Sequence, residues 1–244
     1  MDQKTEGHIH PISQTITRMV DIFTKLGFAV AEGPEIETEY YNFDALNVPK
    51  DHPARDMWDT FWLKPRSLGN LLRTHTSPVQ IHYMESHRPP LRIIVPGKTY
   101  RYEATDATHE AQFHQLEGLA IDRDLSIAHM KSLLALFFKD LFGKDIETRF
   151  RPSYFPFVEP GVEIDITCFK CDGEGCGMCK QTGWIEIMGA GMVHPYVLNA
   201  VGIDSREFQG FAFGMGIDRL ALLKHKIDDV RRFYNGDLRF VNQF

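Results

Sequence analysis

The chain has 244 residues, 43% hydrophobic and 25% charged, a balance that can bury one sizeable core, so a single domain over residues 1–244 is expected. Its longest apolar runs, such as 133–138, are too short to span a bilayer, and the polar start from Met1 to Gly7 lacks the apolar core of a signal peptide, so a cytoplasmic protein is expected, with no membrane partner. A net charge of −6 excludes a strongly basic nucleic-acid clamp, because phosphate neutralisation dominates such binding. If the chain handles RNA, other segments or a partner supply most of the grip.

In chain order, residues 11–26 place Ile12, Ile16, Met19, Val20, Phe23 and Leu26 on one helical stripe, with Pro11 suited to the first turn and Gly27 to the stop. A short strand over 28–31 and a turn at Gly33-Pro34 follow. Residues 47–57 read as a loop, 59–63 as a strand and 78–86 as a helix. Strands over 92–103 and 112–122, separated by the polar stretch 104–111, form a long antiparallel hairpin with a mobile tip. An amphipathic helix covers 126–142, with Ser126 as N-cap and Gly143 as stop. Strands at 147–151 and 162–167 flank the segment SYFPFVEP, and further strands lie at 184–188 and 208–213. A helix over 194–201 separates those two, and Gly214-Met215-Gly216 leads into a last helix at 217–224. Hairpins outnumber strand–helix–strand units, so the fold class is α+β, an antiparallel β-sheet flanked by helices.

Alternation puts Arg101 and Glu103 on one face of the hairpin, and Phe113, Gln115 and Glu117 on one face of the return strand. Leu116 and Leu119 break strict alternation. Such a polar face either meets a ligand or is solvated and held by cross-strand ion pairs, and spacing alone leaves both open. All four cysteines fall in one stretch, Cys168, Cys171, Cys176 and Cys179, as C-x2-C-x4-C-x2-C. Two such knuckles supply four thiolates, enough for a closed structural Zn2+ site, in a hairpin insertion at about 168–181; reduced thiols on a surface hairpin are the alternative.

The segments LGFAVAEGPEIETEYYNFDAL, TYRYEATDATHEAQFHQLEGLAID and GFAFGMGIDRLALL resemble, in order, the three signature motifs of class II aminoacyl-tRNA synthetases. RTHTSPVQ and RFRPSYFPFVEPG resemble phenylalanyl-tRNA synthetase α subunits in particular, and the likeness runs over nearly the whole chain. It implies the class II catalytic fold and activation of phenylalanine by ATP to an adenylate, followed by transfer to tRNA(Phe). By this resemblance Arg101 binds the α-phosphate, Glu103 reads the adenine amino group, His109 contacts the γ-phosphate and Phe113 stacks on adenine. Arg219 closes on the nucleotide from the other side, and Gly214 and Gly216 let the ligand approach the backbone. Arg101, Glu103 and Arg219 form the catalytic set. A bidentate guanidinium suits phosphate better than an ammonium does.

The same resemblance places His75, Ser77, Gln115 and Glu117 around the substrate ammonium, and Phe155, Phe157, Val158 and Ala212 around its ring. Taken singly, His75 is more simply a satisfied core or surface histidine, and two phenylalanines plain core. Glu159 resembles a Mg2+ ligand lying where α and β subunits meet. An apolar pocket rejects an added hydroxyl only modestly, and the family places tyrosine editing in a separate β subunit, so a β partner in an (αβ)2 heterotetramer is implied. Some family members lack the cysteines, which argues against their having a catalytic role. Asp218 stands where glutamate is common in the third motif, keeping the charge. Full α subunits carry an N-terminal coiled coil that contacts tRNA, whereas here the likeness begins within a few residues of Met1, so tRNA charging by this chain alone is not expected. Two other readings compete: a non-catalytic paralogue acting as a binding or regulatory module, and a zinc-hairpin nucleic-acid module, against which the acidic balance counts.

Overall fold

The first helix, α1 (Pro11–Lys25), forms where its stripe predicts, with His10 accepting from the Ile12 N–H at 3.2 Å and Pro11 in the first turn. The computed structural model describes residues 7–55, 60–143 and 146–244, so Met1 to Glu6 of the polar start, residues 56–57 of the expected loop and Asp59 of the expected strand lie outside the described residues. After α1 come β1 (Ala29–Val30), β2 (Ile36–Thr38), α2 (Glu39–Asn42), β3 (Asn70–Leu72), α3 (Ser77–Ser86), β4 (Leu91–Tyr100), β5 (Gln112–Asp122) and α4 (Ile127–Phe142). The chain continues through β6 (Thr148–Phe155), β7 (Val158–Thr167), β8 (Trp184–Val193), α5 (Pro195–Ala200), β9 (Gln209–Gly216), α6 (Ile217–His225) and α7 (Leu238–Val241). Helix α4 starts with a capping box, His129 accepting from the Ser126 N–H, and ends at Gly143 with φ 69°.

Seven strands make one sheet in the order β1-β4-β5-β9-β8-β7-β6, and β2 pairs with β3 in a separate ribbon. Every neighbour pair in the large sheet is antiparallel except β1 with β4, which is parallel and makes the sheet mixed. The expected strand at 59–63 reduces to one bridge, Trp62 to Leu71. The segment SYFPFVEP, expected as a link between two short strands, is itself the tip of the β6–β7 hairpin: pairing runs to Phe155 and resumes at Val158, so only Pro156 and Phe157 turn the chain. The glycines after Phe213 remain in strand, β9 running on to Gly216 before α6 begins.

Strand β5 is buried on both faces, and this explains the broken alternation. Leu116 and Ala120 join Phe23, Leu134 and Phe137 in the core beneath α1 and α4. Leu119 and Ile121 face the other way, into the core beneath α3 and α5. A central strand with apolar cover on both sides reads as a run rather than an alternation. Among the described residues no helix is long and apolar enough to cross a membrane.

Candidate functional site

On the α3–α5 side of the sheet a cavity of about 510 Å³ opens over β5, β8 and β9. Its wall includes Arg101, Glu103, His75, Ser77, Gln115, Glu117, Phe155, Phe157, Val158, Ala212 and Gly214. His109, Phe113, Gly216, Arg219 and Glu159 do not line it. Of these, Phe113 and Gly216 adjoin lining residues, Gly216 pairing with Gln115 between β9 and β5. Phe113 lies under the Arg101 guanidinium at 5.1 Å, and Gly216 precedes the first turn of α6, from which an exposed Arg219 projects.

Glu117 anchors the polar end. Its buried carboxylate accepts from the Thr76 N–H at 3.1 Å, the Ser77 hydroxyl at 2.5 Å and the Gln80 amide at 2.9 Å. Burial raises its pKa above the usual carboxylate range, while the bonds from Ser77 and Thr76 hold against that rise. The first turn of α3 supplies two of these donors, so the anion also faces the positive end of a helix. Gly214, directly across in β9, makes room: a Cβ there would lie 3.1 Å from Glu117 Cγ.

Among the described residues, the buried His75 Nδ1, Gln115 Oε1 and Thr76 Oγ1 have no hydrogen-bond partner, and the His75 and Gln115 side chains line the cavity. Burial, then the charge of Arg101, pushes the His75 imidazole down to about 3, so it is neutral near pH 7. A neutral imidazole, a carboxamide oxygen and a carboxylate around one space are acceptors for a cationic donor.

The apolar end rests on small residues. Gly189, Ala190, Ala212 and Gly214 form a floor from β8 and β9, and Phe155 and Phe157 stand over it with ring centroids 6.0 Å apart. Gly189 is required there, since a Cβ would meet the Phe155 ring at 2.8 Å. Leu46, Val48, Val193 and Val197 complete the wall.

At the mouth, Arg101 Nε donates to the Thr74 carbonyl at 3.2 Å, and its Nη1 lies 4.0 Å from Glu103. The hairpin tip holds a hydrogen-bonded turn in which Asp106 accepts from the N–H groups of Thr108 at 2.6 Å and His109 at 2.8 Å. His109 is exposed there, its Nδ1 3.1 Å from Asp106.

Sequence reasoning missed Gln80, Asn42 and the 43–52 segment. Gln80 sits one helical turn after Ser77, the spacing that puts both on one face of α3, and that signal was available. Asn42 is fully buried and bonds Thr74 through both its amide and carbonyl groups, fixing the strand exit that carries His75. Leu46, Val48 and His52 reach the cavity because Arg55 clamps their segment to Glu39 at 3.0 Å and Asp44 at 2.8 Å, contacts no periodicity encodes.

Glu159 is exposed, with its carboxylate 3.3 Å from His194 Nε2. Among the described residues, the four cysteines are the one group of three or more His, Cys, Asp or Glu that could hold a metal, their sulfurs all within 4.8 Å of one another. Sulfur–sulfur separations are 3.8 Å for Cys168–Cys176 and Cys171–Cys179 and 3.7 Å for Cys176–Cys179. A tetrahedral ion with metal–sulfur bonds of ~2.3 Å sets such edges at about 3.8 Å, so the thiols fit zinc. The N–H groups of Gly175, Cys176 and Gly183 point at these sulfurs at 3.1–3.3 Å.

Comparison with known proteins gives the family and the fold. The profile of the tRNA synthetases class II core domain (F) matches residues 1–244. A phenylalanine–tRNA ligase alpha subunit of an Exiguobacterium species is 57% identical over 98% of this chain and 70% of its own length. The Bacillus subtilis protein of the same name is 55% identical over 98% of this chain and 69% of its own. Among solved structures, pyrrolysyl-tRNA synthetase from Desulfitobacterium hafniense superposes with a TM-score of 0.68 at 18% identity, covering 92% of this chain and 73% of that one, a likeness of fold. With a profile matching from end to end and relatives more than half identical along almost all of it, the chain belongs to the class II tRNA synthetases, in the family of phenylalanine–tRNA ligase α subunits.

Proposed function

We propose that this chain activates phenylalanine with ATP to phenylalanyl-adenylate and, with a β subunit, passes the acyl group to tRNA(Phe) in the cytoplasm. One observation carries the reading: a single cavity joins Glu117, neutral His75 and Gln115 at one end to the Phe155–Phe157 rings at the other, with Arg101 at its mouth. An α-amino acid with a phenyl side chain matches both ends. Its ammonium meets the acceptors and its ring stands against aromatic edges.

In this reading the carboxylate points toward Arg101. A carboxylate oxygen bonds to the α-phosphorus, the bond to the bridging oxygen breaks, and pyrophosphate leaves. Arg101 holds the α-phosphate and the carboxylate together; Glu103 and Phe113 hold adenine by its amino group and its face, and Arg219 and His109 meet the distal phosphates. These residues perform positioning and charge stabilisation, the main needs of such a transfer. Gly214 keeps the floor clear beside Glu117, and Gly216 keeps the backbone clear where β9 meets α6. Glu159 contributes one carboxylate to a Mg2+ site at the contact with the β subunit, magnesium commonly keeping several waters. The (αβ)2 heterotetramer supplies the rest of the tRNA grip that a chain of charge −6 lacks. Zinc on the four cysteines closes the hairpin insertion as a structural site.

The test is phenylalanine-dependent exchange of pyrophosphate into ATP, with the β subunit present. Exchange is expected, and Arg101→Ala should nearly abolish it while leaving the circular-dichroism spectrum and melting temperature close to wild type. No exchange with a competent β subunit would make the chain a non-catalytic paralogue.

A further inference from the structure

The chain after α6 lines no part of the cavity, yet it is tied to the elements that carry Phe113, His109 and Arg219. Asp218, in the first turn of α6 and buried, accepts from the His114 N–H at 2.7 Å and from the Tyr234 hydroxyl. His114 Nδ1 lies 3.1 Å from that same hydroxyl, and the two rings are parallel within 4°. His114 directly follows Phe113 in β5, and Arg219 directly follows Asp218 in α6. The three side chains therefore tie the strand that carries the ring under Arg101 to the helix that carries Arg219. A second tie reaches the hairpin tip, where the Val230 N–H donates to the Ala107 carbonyl at 2.9 Å. The tying segment is itself anchored: Val230 and Phe233 are buried, and the Phe233 carbonyl lies 3.0 Å from His10 Nε2.

We propose that residues 227–234 are a positioning strap for ATP, in which Tyr234, through Asp218 and His114, sets the spacing of Phe113 and Arg219, and Val230 holds the tip bearing His109. The inference rests on the activation chemistry proposed above. Tyr234 touches no substrate in it. Its effect is to order beforehand groups that ATP would otherwise order on binding, and ordering side chains and loops at a site costs affinity.

The experiment uses the chain purified with its β subunit and the exchange assay. Tyr234→Phe deletes the hydroxyl and keeps the ring. It should raise KM for ATP about fivefold, the ratio one hydrogen bond contributes, with KM for phenylalanine unchanged and only a small fall in Tm, from the buried Asp218 oxygen that loses its donor. Val230→Pro removes the N–H at the first position of a helical turn, where proline fits; it should also raise KM for ATP, relative to Val230→Ala as the packing control. A lower Tm with both KM values unchanged, or both KM values raised alike, means that the segment is only structural and overturns the proposal. Wild-type protein without exchange overturns the activation reading and this one together. Exchange in wild type with an unchanged KM for ATP in Tyr234→Phe overturns this one alone.

Discussion

Two titrating side chains share the cavity and respond to acid in opposite ways. Glu117 is raised above its usual 4.5 by burial, so it takes up a proton at a pH higher than an ordinary glutamate does. KM for phenylalanine should therefore climb on acidification at a pH above 4.5, and Glu117→Gln should abolish that pH dependence. The same substitution should raise KM for phenylalanine by about 10- to 150-fold, the contribution of a charged hydrogen-bond partner, with KM for ATP unchanged. A pH profile identical in wild type and variant would remove Glu117 from ammonium binding. His75 does not titrate near neutrality, being held down to about 3 from 6.5. Its unfolded form binds a proton first, so the stability of the neutral buried ring is fully present above 6.5 and is lost as pH falls from 6.5 toward 3. His75→Gln should flatten the acid limb of a urea-denaturation series across that window. At this scale the sequence named the residue types and the resemblance gave them roles. The three donors on Glu117 and the unpartnered atoms of His75 and Gln115 emerge only when β5 and α3 meet in space.

Helices and hairpins were legible wherever one face alone was buried. Helix α1 forms within a residue of its expected ends, because its stripe, first-turn proline and following glycine all agree. Alternation failed on β5, where both faces are covered, and at SYFPFVEP, where Pro156 and Pro160 read as a break although pairing continues on both sides of the Pro156–Phe157 turn, with a register shift at Pro160. The cysteine hairpin follows the opposite logic, since spacing reveals the ligands and only the fold reveals that the four sulfurs converge. It leaves the sheet at the Thr167–Trp184 end of β7 and β8, whereas Val158 and Val193 at the other end line the cavity. Metal analysis should find one zinc per chain. Chelation under reducing conditions should lower Tm while, at temperatures below the new melting point, KM for phenylalanine stays unchanged. A metal-free protein of equal stability would leave the cysteines as reduced thiols.

Across the whole molecule, one aromatic stack joins the layers. Phe23 of α1 is fully buried and stacks on Phe137 of α4 at 4.5 Å and on Phe213 of β9 at 5.2 Å. Phe23→Ala opens a cavity in that stack and should cost about 3–5 kcal/mol, read as a drop of roughly 10 °C in Tm for a domain this size. A loss below ~1 kcal/mol would mean that neighbouring side chains refill the space. The sheet's flanks have a different consequence. One edge, β1, pairs over just two residues, and the other, β6, carries Pro152 among its residues together with Arg149 and Arg151, which ion-pair with Asp165. Short strands, proline and charge are what proteins place where added strands must be refused. Growth of this sheet into a neighbour's is thus disfavoured from both sides. Crowded or concentrated solutions should therefore not drive this sheet toward edge-to-edge fibres.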